Sequence, residues 1–208
     1  MLEGLNKSRI DRFWHGLAQP LVWAGISPNQ VTWIGLVLVL ANCALYAVHG
    51  QSLWFGLLLI VSFSFDSLDG AVARLTGKTS KYGGYLDAVI DRYQEIAVYL
   101  VIAWVSGWWV AAFLAVSGSL MVSYNKARTA MEIPIDNNAW PDLLERFERL
   151  CLLCAALILD PLFVLPSFLG GRVLHLGILV IGVLAHITAI QRFLRARSML
   201  LPHARGDD

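Results

Sequence analysis

Six runs of apolar residues, each near the length of a bilayer crossing, constrain this chain before anything else does. They centre on 31–49, 53–74, 85–106, 108–129, 148–169 and 173–194. About 20 consecutive apolar residues let a helix span the hydrocarbon core, where every backbone polar group must find its partner within the segment. Composition agrees: 57% of the 208 residues are hydrophobic and only 15% are charged, against about 25% charged in a soluble domain. The chain is therefore predicted to be an all-α integral membrane protein with six transmembrane helices, a six-helix bundle over about 29–195. Before the bundle, residues 7–24 mix Lys7, Arg9, Arg12 and His15 with Ile10, Phe13, Trp14, Leu17, Leu21 and Val22 at helical spacing. That pattern predicts an amphipathic helix lying in the membrane interface, with Pro28 ending its connection to the first crossing.

Charge is informative by position, not by sum. Net charge is +1, which gives no reason to expect nucleic acid as a partner. Lys and Arg gather before the first helix (Lys7, Arg9, Arg12) and between the second and third (Arg74, Lys78, Lys81). They recur between the fourth and fifth (Lys126, Arg128, Arg146, Arg149) and after the sixth (Arg192, Arg195, Arg197, Arg205). The other connections hold only Arg172. This alternation places both termini in the cytoplasm. No secretory signal is expected, because residues 1–20 lack a clean apolar core. No repeat, low-complexity tract or linker divides the chain, so one membrane domain over 1–208 is expected, with 131–142 its one polar loop of any length. Cys151 and Cys154 form a C-x-x-C inside the run LCLLCAALIL. A redox or zinc site needs polar, accessible surroundings, so this pair reads as inert helix packing.

Residues 62–91 carry the chemistry: SFSFDSLDGAVARLTGKTSKYGGYLDAVID. Asp66 and Asp69 are three apart, and Asp87 and Asp91 four apart, so each pair shares a helix face. A helical hairpin brings all four to one depth at the cytoplasmic ends of the second and third helices. Carboxylates within membrane segments are costly and mark functional sites. Four acids so close repel one another, and divalent cations relieve that repulsion. All-oxygen coordination favours Mg²⁺, Mn²⁺ or Ca²⁺ over zinc, and two cations would suit displacement at phosphorus. Gly70, Gly83 and Gly84 leave room for close backbone approach to a ligand. Arg74, one turn past Gly70, is placed to fork onto a diphosphate, although a basic residue here also satisfies topology.

Asp66-x-x-Asp69-Gly70-x-x-Ala73-Arg74, eight residues, Gly83, Asp87 and Asp91 together resemble the complete signature of the CDP-alcohol phosphotransferases. Ser27-Pro28-Asn29-Gln30-Val31-Thr32 resembles that family's second nucleotide-contacting segment. The resemblance implies that Asp66, Asp69 and Asp87 ligate two Mg²⁺ or Mn²⁺ ions. It implies that Asp91 completes the site and deprotonates the acceptor hydroxyl. Gly70, Arg74, Ser80, Gly83 and Asn29 to Thr32 (Asn29, Gln30, Val31, Thr32) would hold a CDP-linked lipid donor. The implied reaction is attack of an alcohol on the donor's β-phosphorus, with CMP leaving, in phospholipid biosynthesis at the cell membrane. The family analogy also implies a homodimer.

Ser123, Lys126 and Arg128 close the fourth helix, Arg146 opens the fifth and Arg192 ends the sixth. Such a ring suits a small phosphorylated alcohol, since Lys and Arg bind phosphate dianions. The same segments resemble those of phosphatidylinositol-phosphate synthases and their archaeal ether-lipid counterparts. Di-myo-inositol phosphate phosphate synthases and phosphatidylglycerophosphate synthases are the alternatives. The loop departs from them by adding Glu132, Asp136 and Asp142 near the expected acceptor site. Two rivals lie outside the family. A membrane prenyltransferase would place its aspartate clusters far apart in repeated halves. A divalent-cation transporter would distribute its acids through the membrane depth.

Overall fold

The computed structural model describes residues 14–135, 143–166 and 170–201. Among these residues the fold is all-helical, with one isolated antiparallel bridge between Val164 and Arg172 and no strand. The described part of α1 covers 14–23, and it is followed by α2 (Pro28–His49), α3 (Ser52–Thr76) and α4 (Lys81–Ser106). After them come α5 (Trp109–Glu132), α6 (Arg146–Leu159) and α7 (Val173–Leu200). Contacts group into two compact units, Met1–Val101 and Ile102–Asp208, with the boundary inside α4. Residues 7–13 of the expected interfacial helix lie outside the described residues, as do Arg205, Asp136 and Asp142.

In the first unit α1 is pinned by its apolar face. Ala18 is fully buried with Val31 of α2 and Leu68, Ala71 and Val72 of α3, and Trp14, Leu21 and Val22 pack around it. The chain then turns at Gly25, whose φ of 71° favours glycine. A capping box starts α2: Ser27 N–H donates to Gln30 Oε1 at 2.8 Å, and Gln30 N–H donates to Ser27 Oγ at 3.4 Å. Pro28 takes the first helical position, where a missing N–H costs nothing. α2 and α3 are held by Asn42 Nδ2 donating to Ser62 Oγ at 2.6 Å. Tyr46 and Phe55 stack with centroids 4.3 Å apart. α3 ends at Gly77, a left-handed cap with φ 65°. Ser80 Oγ accepts from Gly83 N–H at 3.0 Å and so starts α4.

In the second unit α5 and α7 approach closely through glycine. A Cβ on Gly118 would stand 2.9 Å from Ala185 Cβ, so nothing larger fits there. α6 is shorter than the apolar run suggested. It stops at Leu159 after 14 residues, about 21 Å at 1.5 Å per residue, where 148–169 had been expected to cross the bilayer. The physical reason lies in Asp160 and Pro161. The Asp160 carboxylate is used across the turn, accepting from Leu174 N–H at 3.0 Å at the start of α7 and from the Arg172 guanidinium.

Among the described residues three helices, α2, α3 and α7, are both long and apolar enough to cross a membrane. α4 and α5 have the length, at 26 and 24 residues. Their composition is diluted, in α4 by Asp87, Asp91, Arg92 and Glu95 and in α5 by serines, Asn125 and Lys126. Cys43 and Cys154 are buried and Cys151 exposed, all three as free thiols.

Candidate active site and metal centre

The site is built where α3 meets α4. Asp66 of α3 and Asp87 and Asp91 of α4 each offer a carboxylate oxygen, and these oxygens all lie within 4.8 Å of one another. Asp66 lies ten residues before the end of α3 and Asp91 ten after the start of α4. The four-residue connection 77–80 is what sets them opposite each other. Asp87 and Asp91, one turn apart, point the same way. An all-oxygen, anionic donor set of this kind fits a hard divalent cation such as Mg²⁺ or Mn²⁺. When bound, such a cation would polarise phosphate oxygens and stabilise the charge of a phosphoryl transfer.

Asp69 stands beside this trio rather than within it. Its carboxylate accepts a 2.5 Å hydrogen bond from Thr32 Oγ1 of α2. Asp69 and Asp87 then line one cavity of about 230 Å³, together with Asn29, Gly70, Lys78 and Ser80. Thr32, Gly83 and Gly84 complete its wall. The glycines matter by what they leave out. A Cβ on Gly70 would sit 3.3 Å from Arg74 Nη1, and one on Gly83 would sit 3.2 Å from Ser80 Oγ and 3.4 Å from Asn29 Oδ1. Arg74 thus holds its guanidinium over Gly70, beside the cavity.

Two of the expected nucleotide contacts turn away. Val31 is fully buried in the α1–α2–α3 core, and the Gln30 side chain is committed to the Ser27 cap. The segment Asn29–Thr32 therefore serves the cavity through Asn29 and Thr32 alone. Lys78 and Thr79, counted only as topology or passed over in the sequence, line the cavity. Glu95, one turn beyond Asp91, is 2% exposed, and its Oε1 lies 3.8 Å from Arg92 Nη1. The spacing Asp87, Asp91, Glu95 is the signal that could have found it.

The expected acceptor residues lie in the second unit. Arg192 is 6% exposed and its Nη1 donates to the Val122 carbonyl at 2.5 Å, adjacent to Ser123. Ser123 Oγ donates to Ser119 O at 3.2 Å. Lys126 and Arg146 are half-buried. Arg128 lies about 200° around α5 from Lys126, and its Nη2 pairs with Glu132 Oε1 at 2.5 Å.

The family model of the CDP-alcohol phosphatidyltransferases matches residues 25–188. The chain belongs to this family. It is 33% identical to the archaetidylinositol phosphate synthase of Pyrococcus horikoshii over 186 residues, 88% of this chain and 90% of that one. It is 31% identical to the phosphatidylinositol phosphate synthase of Mycobacteroides abscessus over 206 residues, 93% and 88% of the two chains. Among solved structures it resembles the phosphatidylinositol phosphate synthase of Mycobacterium tuberculosis with CDP-DAG bound, with a TM-score of 0.77 at 25% identity. That match covers 89% of this chain and 94% of that one. The same enzyme in complex with manganese and citrate matches at a TM-score of 0.77, with 25% identity and 89% coverage of both chains. As a CDP-alcohol phosphatidyltransferase the chain is a membrane-embedded transferase, and its acidic cluster serves a divalent metal.

Proposed function

We propose that this CDP-alcohol phosphatidyltransferase transfers a phosphatidyl-type group from a CDP-linked lipid to a hydroxyl of inositol phosphate. The observation that carries the reading is the Asp66–Asp87–Asp91 trio within 4.8 Å, sharing Asp87 with a cavity that Gly70, Gly83 and Ser80 line. Asp66, Asp87 and Asp91 hold Mg²⁺ or Mn²⁺, and Asp69, oriented by Thr32, completes a two-ion site. Arg74 and Lys78 bear on the diphosphate, while Asn29, Ser80 and Gly83 shape the nucleotide seat. Asp91 takes the proton of the acceptor hydroxyl. The acceptor oxygen bonds to the donor's β-phosphorus, the bond from that phosphorus to the bridging oxygen breaks, and CMP leaves with the bridging oxygen.

Ser123, Lys126, Arg128, Arg146 and Arg192 supply the polar and basic groups that select a phosphorylated acceptor. The named relatives, all inositol phosphate lipid synthases, support this choice over glycerol phosphate. The chain acts as one domain with six crossings, both termini and the active site in the cytoplasm, and it works as a homodimer in the cell membrane. Purified protein given CDP-diacylglycerol and Mg²⁺ should release CMP with inositol phosphate and not with free inositol, serine or glycerol phosphate. CMP release with CDP-inositol as the sole competent donor would overturn the lipid-donor assignment.

A further inference from the structure

Arg92 follows Asp91 directly on α4, in a helix where a charge is costly. Its side chain is 26% exposed, and its Nη1 is buried without a hydrogen-bond partner. The acid beside it does not answer it: Glu95 Oε1 stands 3.8 Å from that nitrogen, outside hydrogen-bonding distance. Charge-assisted contacts close to about 2.7–2.9 Å. A forked donor is thus held open inside a membrane enzyme, and charged groups so placed mark functional contacts.

Its position on the helix says which contact. At 3.6 residues per turn, Arg92 sits about 100° around α4 from Asp91 and about 40° from Ile96. Tyr85, two turns earlier, shares its side of the helix, and both Tyr85 and Ile96 are exposed. The guanidinium therefore lies on the border between the acidic cluster and a face turned outward to lipid. Along α4 the seats for the donor's parts come in order. Gly83 and Gly84 line the nucleotide cavity, Asp87 belongs to both cavity and cluster, and Asp91 closes the cluster. What hangs from the β-phosphorus on the lipid side is the glycerol backbone. In a diacyl lipid that backbone carries two ester carbonyls, the only strong acceptors beyond the phosphate.

We infer that Arg92 reads the ester carbonyls of the donor's glycerol backbone, and that the donor is a diacyl rather than a dialkyl lipid. The planar fork offers parallel N–H donors to neighbouring carbonyl oxygens, whereas a dialkyl lipid presents only weakly accepting ether oxygens. The inference rests on the lipid-donor reading above. Arg74 and Lys78 stay with the diphosphate, so Arg92 sets affinity for the lipid without touching the nucleotide.

Equilibrium binding to protein in detergent micelles with Mg²⁺, without acceptor, tests it. The radiolabelled ligands are CDP-diacylglycerol, its dialkyl ether analogue and CDP-glycerol, which keeps the nucleotide, diphosphate and glycerol and lacks both esters. Wild type should bind the diacyl donor about 10-fold tighter than the dialkyl one. Arg92→Ala should weaken the diacyl donor about 10-fold and leave the other two ligands within about 2-fold. Arg92→Lys keeps a charge beside Glu95 and so guards against misfolding. It should weaken the diacyl donor about 3-fold, again sparing the other two. Parallel losses for all three ligands overturn the inference, giving Arg92 to the diphosphate or to packing. Unchanged diacyl binding in both variants overturns it too, as does equal binding of the diacyl and dialkyl donors by the wild type. A wild type that holds CDP-inositol and neither CDP-lipid defeats the lipid-donor reading itself, and the assignment of Arg92 falls with it.

Discussion

Asp91 and Thr32 divide the work of the site at the scale of single side chains. Asp91→Asn keeps the shape and loses the base, so turnover should fall about 10²- to 10⁴-fold while donor binding barely moves. Near-normal CMP release from well-folded Asp91→Asn protein would remove the assigned role. Thr32→Val deletes the hydroxyl that donates to Asp69 at 2.5 Å, leaving Asp69 loosely aimed. The Mg²⁺ concentration for half-maximal activity should rise, with kcat at saturating Mg²⁺ largely retained; an unchanged Mg²⁺ titration would limit Thr32 to packing. The aspartates were legible because their chemistry is local, with each pair on adjacent helical turns and both pairs within 26 residues. Gln30 and Val31 were ambiguous in the sequence because a nucleotide-contacting segment and a capping box draw on the same residues, Ser-Pro-x-Gln, and only packing separates them. Lys78 signalled only topology and Thr79 nothing, since a four-residue connection has no periodicity to read.

At the scale of elements, α6 shows what an apolar run does not reveal. The stretch 148–169 is apolar enough to suggest a crossing, yet the helix stops at Leu159 because Asp160 is recruited as an acceptor and Pro161 follows. Hydropathy sums over a window, and one buried carboxylate with a partner across a turn outweighs it. Asp160→Ala strips the start of α7 of its acceptor for Leu174 N–H and leaves Arg172 without its carboxylate. That should cost about 1–3 kcal/mol, read as a lower thermal midpoint in detergent. Arg172→Ala should cost less, because the Arg172 side chain is 56% exposed and exposed charges contribute little. Equal losses in the two variants would mean that the pair, and not the backbone acceptor, holds the turn. α2, α3, α4 and α5 came within four residues of their predicted bounds because each apolar run is long, whereas α7 runs on to Leu200, six residues past its predicted end.

For the whole molecule a bound metal should act as a folding partner as well as in catalysis. Three carboxylates within 4.8 Å repel one another, and a cation that binds only the folded arrangement stabilises it, by about 2.7 kcal/mol at a hundred times its Kd. The thermal midpoint should therefore climb with added Mg²⁺ or Mn²⁺ and fall on chelation, and Asp66→Ala should flatten that dependence. A wild-type midpoint indifferent to both ions would break the link between cluster and metal. Three helices carry the composition of a crossing outright, whereas α4 and α5 carry polar groups that a hydropathy scan penalises. Those polar groups include the clustered carboxylates of α4, Asp87 and Asp91. The arrangement also has a consequence in time. Every residue that lines the donor cavity, from Pro28 to Asp87, and the last of the clustered acids, Asp91, precede the midpoint of the chain. Domains form as the chain emerges, N-terminal part first. On the proposed reading, a ribosome making this protein finishes the nucleotide seat and the metal ligands before it has added Arg128 or Arg192. On that reading the half that would hold the activated group is made before the half that would choose what receives it.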